Sequence, residues 1–302
     1  MSLVVVGSVA LDTVETPKGR ADDVLGGAAL YFSLAASFFT PVRMVGVVGA
    51  DFPRETLGEL KKRNIDLSGV EEAAGNTFRW TGRYHEDVNV RDTLHLDLGV
   101  FASFKPTLPA TYRDSQFVFL ANIDPVLQAS VLEQLAAPGV VGCDTMNHWI
   151  AESRPALTAL LSRVGILVIN DEEARLLSGE RNVVRAAAKI LSMGPKSVLI
   201  KRGEYGVIQF SADSVFAVPA FPLEDVTDPT GAGDCFAGGF MGELARSGDT
   251  SQAGIRRAIV YGSVMGSFVV EDFGPRRLLG LSRDDVERRY RQFVSLTDIG
   301  GG

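Results

Sequence analysis

The stretch ILVINDEEARLLS occupies residues 166–178. Its first four residues form a continuous apolar run rich in β-branched side chains, Asn170 ends it, and the next eight carry a helical pattern. A strand without polar alternation is one covered on both faces. The same kind of run recurs at 3–7 (LVVVG), 42–49 (VRMVGVVG), 117–121 (FVFLA), 140–144 (VVGCD) and 197–201 (SVLIK). Helical patterns lie between them at 28–39, 53–63, 125–136, 151–162, 171–178 and 182–192. Alternating strands and helices predict an α/β fold: a three-layer α/β/α sandwich around a mostly parallel sheet with right-handed connections.

Two regions break this rhythm. Residues 76–98 alternate polar and apolar, with Phe78, Trp80, Tyr84, Val88, Val90 and Leu94 as the apolar set; residues 10–24 are polar and irregular. Together they predict a small β-sheet inserted as a lid into one domain spanning 1–302, with lid segments at about 10–24 and 76–98. Apolar residues on an outer face of that sheet would let it pair with a second copy; a monomer with the sheet folded down is the other reading. Beyond residue 205 come two further strand-like pieces, GVIQF and SVFAVPAF, and helical patterns at 232–246, 251–270 and 282–295.

The composition excludes several classes. With 302 residues, one large domain with a small appendage is expected. The net charge is −7, and no basic run exceeds KKR at 61–63, so no nucleic-acid partner is expected. The most apolar segment, AALYFSLAASFF at 28–39, is too short to span a bilayer, so no membrane role is expected. The opening MSLVVVGSVALD lacks a basic leader region, and the two cysteines, Cys143 and Cys235, form no disulfide framework. A cytoplasmic protein is the expectation.

In open α/β sheets, ligands bind outside the carboxyl ends of the strands. Asp12, Asn122, Asp144, Asn170 and Gly203 follow strands at that edge. The stretch DPTGAGDCFAGGF at 228–240 adds a helix start, because Phe236, Ala237, Phe240, Met241 and Leu244 have helical spacing. The first N–H groups of a helix lack intrahelical partners and sit at the positive end of its dipole. Gly231, Ala232 and Gly233 leave that backbone bare, which makes an anion hole suited to phosphate. Asp234 has two readings there: a carboxylate that caps the helix, or a general base that takes a proton from a hydroxyl attacking phosphorus.

DPTGAGDCFAGGF resembles the C-terminal signature of the ribokinase-like, or PfkB, carbohydrate kinases, D-[TP]-T-G-A-G-D-x-F. The resemblance covers most of the chain: GGAALYFSLAASFF (26–39) is similar to the double-glycine motif, VGVVGADFPRETLGELKKRNID (45–66) to the stretch after it, NDEE (170–173) to N-x-x-E, and KRGEYGV (201–207) to the G-x-x-G turn. It implies a kinase using ATP and magnesium. Asp234 would be the catalytic base and Gly231, Ala232 and Gly233 the anion hole. Asn170 and Glu173 would hold magnesium and phosphate through water, as one Glu suffices for an ion that keeps its waters. Gly203, Gly206 and Thr230 would line the nucleotide, with Lys201 either reaching a phosphate or ending as a solvated side chain. Gly262 and Met265, beside Tyr261, would flank the adenine or else be core. Asp12, Gly26 and Gly27 would meet the acceptor's hydroxyls, with Asn122 and Asp144 at the same edge. Asp228 and carbonyls near 268–274 would take a monovalent cation such as potassium.

The chain departs from the pattern at one point. The double-glycine motif reads G-G-x-x-x-N in the family, and here the sixth residue is Tyr31, which alters the acceptor contact or stacks on a ring. Asp144 and Asn147 form a D-x-x-N pair, with His148 and Trp149 beside it, and Arg79, Arg83 and His85 lie on the lid to bind a charged acceptor or solvate a surface. The function implied is phosphorylation of a hydroxymethyl group of a sugar or sugar-like small molecule. A nucleoside kinase of adenosine or cytidine type is the alternative, favoured by Tyr31 and the aromatic lid. A silent nucleotide or sugar sensor is the other, and the intact Asp234 speaks against it.

Overall fold

The computed structural model describes residues 1–298; residues 299–302, the end of the expected 1–302 domain, lie outside the described residues. Nine strands form the large sheet: β1 (Leu3–Val6), β4 (Val42–Gly49), β5 (Ile65–Ala73), β8 (Phe117–Leu120), β9 (Val140–Cys143), β10 (Ile166–Asn170), β11 (Ser197–Lys201), β12 (Val207–Ser211) and β13 (Val215–Val218). Their order is β13-β12-β11-β10-β9-β8-β1-β4-β5. Every neighbouring pair from β11 to β5 is parallel, and β12 and β13 add antiparallel strands at one edge.

The unbroken apolar runs have the predicted cause. Leu3 and Val5 enter one core and Val4 and Val6 the other, all at 0% exposure. Each such side chain contributes roughly 1.5–3 kcal/mol on burial. The first core is covered by α1 (Ala28–Ala36), α2 (Arg54–Lys62), α8 (Ala232–Ser247), α9 (Gln252–Val269), α10 (Arg276–Leu279) and α11 (Arg283–Thr297). The second is covered by α3 (Pro125–Leu132), α4 (Asn147–Glu152), α5 (Arg154–Leu161), α6 (Asp171–Ser178) and α7 (Val183–Leu191). This is the three-layer α/β/α arrangement. Gly238 and Gly239 let α8 approach α1 and α9 closely: a Cβ on Gly239 would lie 2.7 Å from Met265 and one on Gly238 would overlap the carbonyl of Phe32.

The second sheet has four strands, β2 (Ala10–Thr16), β3 (Gly19–Gly26), β6 (Phe78–Tyr84) and β7 (Arg91–Asp97), in the order β3-β2-β6-β7. Asp12 pairs with both Trp80 and Val24, so these share one face, and Val14, Ala21, Val24, Trp80 and Tyr84 cluster there with Phe273. The opposite face is ionic rather than apolar. Glu15 pairs with Arg20 and with Arg83 (2.7 Å), and Arg79 with Asp23 and Asp51 (2.9 Å to the latter). His85 bonds Asp92 at 2.9 Å. The expectation of an apolar outer face is therefore corrected, and Arg79, Arg83 and His85 form a solvated network.

Two further differences have local reasons. β5, the edge strand, escapes the search for unbroken apolar runs because its IDLSGVEEA is half exposed. The helix expected over 151–162 is two, broken at Ser153, where Pro155 sits at the start of α5.

Candidate active site

The first turn of α8 lies open at the carboxyl edge of the parallel sheet. Gly231 is its N-cap at φ 77, a left-handed conformation, and no side chain caps the helix. A Cβ on Gly231 would stand 2.6 Å from the ring of Tyr31, so only glycine fits. Ala232, Gly233 and Asp234 follow as the first helical residues, which leaves the N–H groups of Gly233 and Asp234 facing out from bare backbone. The Asp234 carboxylate therefore makes no capping bond. Burial pushes its pKa up to about 6, opposed by the charges of Lys201 and Arg91. Lys201, at the end of β11, reaches across to this turn: a Cβ on Gly233 would overlap its Nζ. It is not a solvated strand end.

Opposite this turn stands Asp12, only 4% exposed. Its Oδ1 has no hydrogen-bond partner, while a Cβ on Gly26 would overlap its Oδ2. Burial pushes the Asp12 carboxyl up to about 8; Asp228 and Asp234 add to this, and the N–H of Trp80 opposes it. Gly27, at φ 94, is the N-cap of α1 and packs on the backbone of Ser8. Tyr31 is 1% exposed, with its hydroxyl unpartnered and its ring against Gly231. Burial and the nearby Asp228 raise its hydroxyl well above the usual tyrosine range. The Tyr31 ring therefore packs beneath the open turn at Gly231.

Asn170 and Glu173 make a reciprocal capping box at the start of α6: the N–H of Glu173 donates to Asn170 Oδ1 at 2.7 Å, and the N–H of Asn170 donates to Glu173 Oε2 at 2.9 Å. The N-x-x-E pair thus holds the start of α6 as well, and Glu173 keeps its second oxygen. Burial raises the Glu173 carboxyl, against the charge of Lys201. Gly203 and Gly206 both have positive φ, 53 and 83, in the turn after β11. Asp144, at the end of β9, is buried with Oδ1 unpartnered; burial and then Asp234 raise its pKa, and Lys201 opposes them. Asn122 follows β8 at the same edge, bonded by Trp149.

Three further candidates sit in closely packed surroundings. Met265 is fully buried, and a Cβ on Gly262 would meet the backbone and ring of Phe236, so both belong to the α8–α9 seam, with no face free for an adenine. Asp228 spends both carboxylate oxygens on backbone, accepting from the N–H of Thr230 at 2.8 Å and of Gly274 at 2.9 Å. Its visible task is to hold the loop before α8.

The small sheet adds residues that the sequence reading missed. The Thr230 hydroxyl donates to the Tyr84 hydroxyl at 3.2 Å, tying β6 to the loop before the anion hole. Arg91, the cross-strand partner of Tyr84, bonds its hydroxyl and lies over Trp80 at 5.6 Å. From there its charge acts on Asp234 and Glu173. Asn89 donates to Glu204 at 2.9 Å, joining the tip of the small sheet to the turn at Gly203. The available signal was alternation: Trp80, Gly82 and Tyr84 face inward, and Arg91 stands beside the last of them.

Most of the chain matches known proteins. The model of the pfkB family carbohydrate kinases matches residues 2–279. The cytidine kinase of Thermococcus kodakarensis is 34% identical over 251 residues, covering 82% of this chain and 89% of that protein. The nucleoside kinase of Methanothermobacter thermautotrophicus is 28% identical over 283 residues, covering 91% and 87%. In structure, Burkholderia thailandensis nucleoside kinase in complex with ADP-inosine superposes with a TM-score of 0.78 at 19% identity, covering 97% of this chain and 96% of that one. The match across 2–279 and the shared fold, with the open turn at Gly231–Asp234, make the chain a member of the pfkB family of carbohydrate kinases, a sugar or nucleoside kinase of the ribokinase type.

Proposed function

We propose that the protein is a nucleoside kinase that transfers the γ-phosphoryl group of ATP to the hydroxymethyl group of a nucleoside. One observation carries the choice of nucleoside: Asp12 holds an unpartnered buried oxygen on the face it shares with the indole of Trp80. The two oxygens of one carboxyl group can hydrogen-bond both hydroxyls of a vicinal diol, and an aromatic roof suits a flat base. The identity to the cytidine kinase supports the same reading.

In this reading the acceptor O–H gives its proton to Asp234 as the oxygen attacks the γ-phosphorus, and the bond from that phosphorus to the ADP oxygen breaks. The N–H groups of Gly233 and Asp234, with Lys201, meet the negative charge of the transferring group. Gly203 and Gly206 let the turn after β11 come close to the nucleotide. Residues of the site fit magnesium in its ordinary manner: Glu173 offers one free carboxylate oxygen, and no group of three or more acidic, His or Cys ligands exists among the described residues, so the ion would keep waters and phosphate oxygens. Bound there, magnesium would neutralise phosphate charge. Potassium, if used, would rest on backbone carbonyls near Asp228. The small sheet acts as a lid that excludes water, the competing acceptor. A second copy would join through the open edge strand β7, where Leu94 and Leu96 are exposed. No helix among the described residues is long and apolar enough to cross a membrane, and both cysteines are buried and free, as a reducing cytoplasm permits.

The test is ADP formation from ATP and magnesium with a panel of nucleosides and free sugars. Turnover with a nucleoside at least tenfold better in kcat/KM than with any sugar is the expected result. Preference for a sugar overturns the nucleoside reading, and ATP binding without turnover on any acceptor overturns the kinase mechanism.

A further inference from the structure

We propose that Asn122 reads the base of the nucleoside as a hydrogen-bond donor whose direction is fixed by Trp149; the inference rests on the nucleoside reading and adds the specificity element to it. The indole N–H of Trp149 lies 2.9 Å from Asn122 Oδ1. An indole nitrogen can only donate, so the amide oxygen must face Trp149 and the NH2 group must face away. The usual ambiguity of an amide's two ends is removed here by chemistry. The NH2 group meets only the thioether of Met146 among the described residues, at 3.2 Å. A thioether is a weak acceptor, and an amide with two N–H donors is left short of a strong partner at a half-buried position.

The position is rigid and adjoins the acceptor wall. Gln128 donates from one side-chain nitrogen to the carbonyls of Leu120 (3.0 Å), Ala121 (3.1 Å) and Asp144 (3.2 Å), which pins the backbone around Asn122. Ala121 packs on Gly7, where a Cβ would stand 2.8 Å from its own Cβ and 3.2 Å from the N of Ala29, in the first turn after Gly26 and Gly27. In this proposal a nucleoside with its diol on Asp12 and its hydroxymethyl at Asp234 lays its base along this edge. The group that satisfies Asn122 is an acceptor on the base edge, a carbonyl oxygen or an unprotonated ring nitrogen, such as O2 and N3 of cytosine. Trp149 and Met146 give the flanking apolar contact.

Asn122→Asp tests the polarity with little change in shape. An aspartate still accepts from Trp149 but offers the base an acceptor. For the best nucleoside of the wild type, kcat/KM is expected to fall at least about tenfold, with the KM for ATP unchanged. Trp149→Phe keeps the asparagine but frees it to turn, so the spread of kcat/KM across cytidine, uridine, adenosine and inosine should shrink by about threefold or more. Thermal melts of both variants guard against misfolding. Equal loss for every nucleoside and for ribose, or no loss at all, overturns the proposal while leaving the nucleoside reading standing. A wild type that phosphorylates only sugars removes both.

Discussion

Two helix starts face the same sheet edge, and they are built in opposite ways. At α6, Asn170 and Glu173 satisfy each other's backbone N–H groups, so the turn is closed by its own side chains. At α8, a left-handed glycine stands at the cap, no side chain bonds the first turn, and Asp234 is left free. Both starts carry an acid at the third helical position, and the dipole is the same in kind. The acid at α6 is a cap that holds a frame, and the acid at α8 has no structural duty. At the second turn the N–H groups of Gly233 and Asp234 stand on bare backbone with no side chain over them, where a phosphate can approach.

The contrast can be broken most severely at Asp234. Asp234→Asn should lower kcat by roughly 10²–10⁴-fold without lowering the melting temperature, measured by ADP release and a thermal melt. Less than a tenfold loss would make the acid at α8 equivalent to the one at α6. In the wild type the base must be ionised, and its pKa is raised to about 6, so kcat/KM should fall as pH drops through about 6 and flatten above it.

Next comes Asp12→Asn, expected to cost about 100-fold in kcat/KM for the acceptor. It should also alter stability. The folded carboxyl titrates near 8 instead of near 3.8, so its ionisation opposes folding, and the stability present below about pH 3.8 is lost progressively as pH rises to about 8. The amide removes that loss, on the order of a few kcal/mol, and the free variant should melt higher than the wild type at pH 8 and above. Equal melting of the two proteins across pH 5–9 would count against a buried, raised acid.

Gly231→Ala puts a side chain on a left-handed residue against Tyr31, with an expected cost of about 1–3 kcal/mol in urea unfolding and at least tenfold in kcat. Arg91→Gln tests whether the lid adds charge to the open turn. Arg91 is exposed, so the melt should not move, and kcat should fall about 10–100-fold. An unchanged kcat would confine Arg91 to its contact with Trp80. The smallest effect is expected at the closed turn. Asn170→Ala should lose about 1 kcal/mol of stability, with kcat within threefold. Glu173→Gln keeps an oxygen for the cap, so a raised magnesium requirement in that variant alone would give the frame a second duty.

Much of this was legible in the residues. Unbroken apolar runs required strands covered on both faces, which fixed the central sheet, and bare backbone before an apolar helix marked the open turn at Gly231. The half-exposed edge strand β5 was missed because its sequence resembles a loop as much as a strand. Gly262 and Met265 were left between adenine contact and core for a related reason: apolar spacing on α9 shows that a face is covered, not what covers it, and here α8 does.

By itself the sequence determined the layers and the chemistry at the start of α8, because both depend on neighbours within one turn or one strand. Tertiary structure alone decided the partners of that chemistry. Lys201 is distant in sequence from Gly233, Tyr31 from Gly231, and Arg91 from Asp234, and each meets its partner only when the sheet edge and the small sheet close together. Burial decided the rest, since a carboxyl such as Asp12 reads as an ordinary acid until the fold removes its water and leaves one oxygen without a partner.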